Sequence, residues 1–128
     1  MAKKVLVVDD DADFQDAVMN LLKGKGYEVV TADDGASGFK KAQKEMPDII
    51  LLDVMMAHRT EGFDIAQALK KDAKTQNIPV IVVTGICKDT NVSFKYEPDD
   101  VWLPVKAVLE KPIKPDVLLQ ALEKHIRI

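Results

Sequence analysis

Five short apolar runs set the limits on what this chain can fold into. They are Val5-Leu-Val-Val8, Val29-Val30, Ile49-Ile-Leu-Leu52, Val80-Ile-Val-Val83 and Ala107-Val-Leu109. Most are rich in β-branched residues and lack polar alternation, as parallel strands covered on both faces do. The segments between them carry helical period instead. Phe14, Ala17, Val18, Leu21 and Leu22 make one stripe, with Gly24 and Gly26 as helix stops. Ala36, Phe39, Ala42 and Met46 make a second, ended before Pro47. Phe63, Ala66 and Leu69 make a third, and Leu118, Ala121, Leu122 and His125 a fourth with Pro115 near its first turn. Strands alternating with helices require right-handed crossovers, and hence an α/β, doubly wound parallel sheet of five strands. The fourth crossover departs from this pattern. Between Thr84 and Lys106 it holds Asn91, Pro98, Asp99-Asp100 and Pro104, all poor in helix interiors, so it is expected to be irregular, with any helix confined to the part before Tyr96.

Composition narrows the function. With 128 residues, 47% hydrophobic and 30% charged, the chain fits one domain spanning residues 1–128 and excludes disorder. The single cysteine, Cys87, rules out a disulfide framework and a Cys/His zinc site. A net charge of -3 argues against nucleic acid and anionic membrane as partners. No apolar run approaches the ~20 residues that span a bilayer. A soluble, cytoplasmic protein is the expectation.

In doubly wound sheets, sites gather beyond the carboxyl ends of the strands, at the switch point of strand order. The first run ends in Asp9-Asp10, the third in Asp53, the fourth in Thr84, and the fifth is followed by Lys111. Each has a plainer reading by itself. Asp9-Asp10-Asp11 could be a solvated turn whose last member, Asp11, caps the first helix, Asp53 a turn residue, Thr84 a strand residue and Lys111 a surface charge. Their joint placement on four strand ends is what argues for a site.

Four motifs stand in order: Val7-Val-Asp-Asp10, Asp48-Ile-Ile-Leu-Leu-Asp53, Val80-Ile-Val-Val-Thr-Gly85 and Glu110-Lys-Pro112. Together they resemble the receiver domain of two-component response regulators, over the whole chain. The resemblance implies the flavodoxin-like receiver fold with strand order 2-1-3-4-5. It implies that Asp53 is the phosphoacceptor, and that Thr84 and Lys111 contact the phosphoryl oxygens. It implies that Mg²⁺ is held by Asp10, Asp9, Asp53 and the main-chain carbonyl of Met55. The implied partners are a sensor histidine kinase, whose phosphohistidine donates, and an output or phosphotransfer protein. The implied assembly is a monomer or weak homodimer, and the implied role is a switch rather than an enzyme. The charges agree: three carboxylates repel, one lysine returns a single positive charge, and a small hard cation with oxygen ligands suits the remainder.

Two positions depart from the family pattern. After Asp53 the chain reads Val-Met-Met56-Ala57-His-Arg-Thr-Glu-Gly62, with alanine for the usual proline and the glycine one residue late. The expected consequence is a longer, less rigid acceptor loop. Val108 stands where the family usually has a switch aromatic; Phe94, Tyr96 and Trp102 of the fourth crossover could substitute, or could simply pin that irregular loop to the core. Two alternatives stand beside the receiver reading. One is a haloacid dehalogenase-type phosphatase with Asp9 as nucleophile and Asp11 as its partner. The other is a degenerate receiver that acts without phosphorylation.

Overall fold

The computed structural model describes residues 3–53, 61–84, 107–110 and 113–125; the side chains of residues 61–64, 84, 107, 108 and 110 lie outside that description. The elements are β1 (Lys4–Val8), α1 (Ala12–Gly24), β2 (Glu28–Ala32), α2 (Gly35–Glu45), β3 (Ile49–Asp53), α3 (Glu61–Lys71), β4 (Val80–Thr84), β5 (Ala107–Glu110) and α4 (Pro115–His125). All pairings are parallel, in the order β2-β1-β3-β4-β5. The fourth crossover, expected to be irregular, lies outside the described residues.

Alternation along the strands sorts the core into two layers. Leu6 and Val8, Ile50 and Leu52, and Val80 and Val82 pack with Ala42, Ala66 and Leu69 of α2 and α3. Val5 and Val7, Ile49 and Leu51, and Ile81 pack with Val18 and Leu22 of α1 and Leu118 and Leu122 of α4. Burial on both faces is why the strands carry no polar alternation. Among the described residues, no helix is long and apolar enough to cross a membrane.

Local chemistry explains the helix ends. The Asp11 side chain caps α1 by accepting from the backbone N–H groups of Asp13 and Phe14, at 3.0 and 3.3 Å. α1 closes with Gly26 at φ +88°, where Tyr27 N–H reaches back to the carbonyl of Leu22 at 3.0 Å. Asp34 caps α2 through Ser37 N–H at 2.7 Å.

Two stripes differ from the expected ones at their edges. In α1 Phe14, Val18, Leu21 and Leu22 pack on the sheet as expected, but Gln15 is buried in place of Ala17, which is exposed. Alanine fits either face at little cost, whereas the amide of Gln15 finds acceptors at the strand ends. In α2 the buried residues are Gly35, Gly38 and Ala42, and Ala36 is exposed. Met46 leaves the stripe altogether: it is the left-handed C-cap of α2 at φ 47° and 46% exposed. Pro47 disfavours a helical conformation for the residue before it, in keeping with the end of the helix there.

Candidate functional site

β1 lies between β2 and β3, so the connection leaving β1 goes to one side and the connection entering β3 crosses to the other. The crevice this opens lies past the carboxyl ends of β1 and β3. The register sets Val8 opposite Leu52, which brings Asp9 and Asp53 level as the next residues out. Asp53 is the last residue of β3, and Asp9 and Asp10 follow directly on β1. One carboxylate oxygen from each of Asp9, Asp10 and Asp53 lies within 4.8 Å of the other two. Asp9 is 1% exposed and Asp53 4%, whereas Asp10 faces solvent. Two charges are therefore held in a buried crevice and the third stands at its mouth. Such a set of hard oxygens suits a hard divalent cation and would repel an anion that arrived without one.

The backbone around Asp9 is closely held. Its N–H donates to the carbonyl of Ala32 at 3.0 Å, and its Oδ1 accepts from Asp11 N–H at 2.8 Å. Its carbonyl accepts from the side-chain amide of Gln15. That same Nε2 reaches the Ala32 carbonyl at 3.0 Å and Asp33 Oδ1 at 3.2 Å. Gln15 was not legible as a site residue, because a glutamine on a helical stripe gives no sign of which oxygens it will face.

The sheet places the other expected residues as far as backbone. Thr84 ends β4 and is paired with Glu110 of β5, one step beyond the Asp53–Val83 pair. Lys111 is next after Glu110 in sequence, but it and Met55 lie outside the described residues, as do Ile86, Phe94, Tyr96 and Trp102. Asp11 is spent on the cap of α1 and is not among the three clustered carboxylates. A phosphatase pair of Asp9 with Asp11 therefore lacks its second member.

Comparison with known proteins agrees with this geometry. A family model described as the response regulator receiver domain matches residues 5–123. Protein PilH of Pseudomonas aeruginosa is 34% identical over 122 residues, covering 93% of this chain and 93% of that protein. The alkaline phosphatase synthesis transcriptional regulatory protein PhoP of Bacillus subtilis is 31% identical over 87% of this chain, but over only 50% of its own length. The chain thus spans about half the length of several relatives that it matches. Among solved structures, chemotaxis protein CheY4 of Vibrio cholerae superposes with a TM-score of 0.81 at 28% identity, over 98% of this chain and 100% of that one.

Proposed function

The chain belongs to the response regulator receiver family of two-component phosphorelay signalling, and on that premise we propose that it is switched by phosphorylation of Asp53. The observation that carries the proposal is the meeting of the Asp9, Asp10 and Asp53 carboxylates from two adjacent strand ends. An oxygen of Asp53 attacks the phosphorus of a kinase phosphohistidine, forming a P–O bond. The P–N bond breaks, and its electron pair stays on the imidazole nitrogen, which is then protonated. Catalysis of such a transfer is mainly positioning and charge neutralisation. Asp9 and Asp10 would hold Mg²⁺ together with Asp53 and the main-chain carbonyl of Met55. When bound, Mg²⁺ supplies the positive charge that lets a phosphoryl group approach three carboxylates. Thr84 donates its hydroxyl, and Lys111 its ammonium, to the phosphoryl oxygens.

The output is a change of shape read by a protein partner, either an effector or a phosphotransfer protein. The chain acts as one receiver domain over residues 1–128, in the cytoplasm, as a switch rather than a turnover enzyme. The test is to incubate the protein with Mg²⁺ and a small acyl phosphate and to map the acid-labile adduct. The expected adduct is on Asp53, absent from Asp53→Asn and from samples with a chelator. An adduct on Asp9 would instead indicate phosphatase chemistry. A protein that binds no Mg²⁺ and takes no phosphoryl group would be a degenerate receiver.

A further inference from the structure

We infer that Gln15 is a positioning residue for the carboxylate cup: it holds the peptide between Asp9 and Asp10, and so sets the direction of the one exposed carboxylate. The inference rests on the metal reading proposed above and deepens it.

The bonding pattern separates this role from simple packing. Gln15 is buried, and its Nε2 faces three oxygens: the carbonyl of Asp9, the carbonyl of Ala32 and Oδ1 of Asp33. All three are acceptors, so the nitrogen of the amide, not its oxygen, must point toward them. Two N–H groups cannot fully serve three oxygens, so one bond is shared. A glutamine buried only for packing needs none of these partners to come from the metal-binding turn. Here one partner is the carbonyl joining Asp9 to Asp10, and the others belong to the end of β2 and the residue after it. Gln15 thus ties the tips of two strands together at the point where both leave the sheet.

The consequence follows from peptide planarity. The Asp9 carbonyl and the Asp10 N–H share one rigid plane. Holding the carbonyl fixes that plane, and with it the direction in which Asp10 leaves the chain. Asp9 has other constraints: its N–H bonds to Ala32, its Oδ1 accepts from Asp11 N–H, and its side chain is buried. Asp10 is exposed, so packing does little to orient it. Its aim depends on the backbone, and Gln15 holds the backbone.

The test measures Mg²⁺ binding by calorimetry, on the full chain at slightly alkaline pH, beside urea unfolding in chelator. Gln15→Met keeps the volume and loses the donor. Gln15→His places a ring Nε2 the same number of bonds from Cα and keeps one N–H. The expected result is Mg²⁺ affinity roughly tenfold weaker in Gln15→Met, as for lost supporting hydrogen bonds around a metal, with most of it restored in Gln15→His. If Gln15→Met does not fold, Gln15→Asn takes its place, its amide one methylene too short to reach the Asp9 carbonyl. A folded variant lacking the donor that binds Mg²⁺ as wild type does overturns the inference, whatever its stability. Equal weakening in the histidine variant and the donor-free variant also overturns it. Wild-type protein that binds no Mg²⁺ overturns the metal reading itself, and the inference falls with it.

Discussion

Gly38 shows how little room the site's supports leave. A Cβ built on it would stand 2.7 and 2.9 Å from the two Cγ atoms of Val8, the residue just before Asp9. Val8 is itself buried and locked between α2 and its neighbouring strands, so it cannot give way. Gly38→Ala is therefore expected to lower stability by about 1–3 kcal/mol, despite alanine's better helix propensity. Urea unfolding measures this, and a neutral or stabilising effect would reject the close-contact argument. A second residue-scale prediction concerns the lifetime of the phosphoryl group proposed for Asp53. Water must approach phosphorus in line with the leaving carboxylate oxygen. In receivers the residues two past the acceptor and two past the threonine flank that approach; here the sequence has Met55 and Ile86, both apolar and bulky. Met55→Asn and Ile86→Glu should shorten the lifetime, because polar groups there hold the attacking water. Decay in wild type as fast as in the variants would reject shielding.

At the scale of elements, the caps connect helix geometry to pH. The N–H of Ser37 bonds the Asp34 carboxylate at the start of α2, which holds that carboxyl below the usual carboxylate range. A carboxylate with a lowered folded pKa stabilises the fold above its ordinary pKa, and that contribution is lost as pH falls through the lowered value. Asp34→Ala should then be less stable than wild type near neutral pH, and the difference should close below about pH 4. Paired urea titrations at neutral and acidic pH decide this, since a difference that does not change with pH would assign the cap no charge. The end of α2 is decided differently. Met46 is the left-handed C-cap of α2, its N–H donating to the Ala42 carbonyl at 3.1 Å, and its side chain stays outside the core although it sits at stripe spacing.

At the scale of the whole molecule, the sheet brings three of the described carboxylates together at one of its ends. Without a cation, the Asp9, Asp10 and Asp53 carboxylates stand within 4.8 Å of one another and repel. In chelator, Asp10→Asn should unfold at higher urea than wild type, since it removes one of three like charges. With Mg²⁺ at a hundred times its Kd, wild type should gain about 2.7 kcal/mol, and Asp10→Asn far less at the same concentration. Urea unfolding with and without Mg²⁺ supplies both numbers. A metal-free Asp10→Asn less stable than wild type would reject the repulsion. An equal Mg²⁺ gain in both proteins would remove Asp10 from the cation site.

Much of this architecture is written in local sequence. Runs such as Ile49-Ile-Leu-Leu52, four residues long and closed at both ends by aspartates, read as strands buried on both faces, and the polar residue ending each run marks the site end of the sheet. Asp53 and Asp9-Asp10 were legible as site candidates because a carboxylate after such a run has nowhere to go but the rim. The cap of α1 was legible too: Asp11, the last member of the Asp9-Asp10-Asp11 turn, accepts from the N–H groups of Asp13 and Phe14 as a capping carboxylate should. Two things were not legible. Ala17 and Gln15 exchanged places on α1, because the pattern of apolar residues fixes a helix face only to within about one residue when alanine marks its edge. Gln15 acquired its partners from Asp9, Ala32 and Asp33, up to 18 residues away. Hydrophobic period is a local property, and the sequence alone determined strand, helix and the end of the sheet where charge collects. Which polar groups meet there depends on the paired register of β1, β2 and β3, and only the folded sheet decides that.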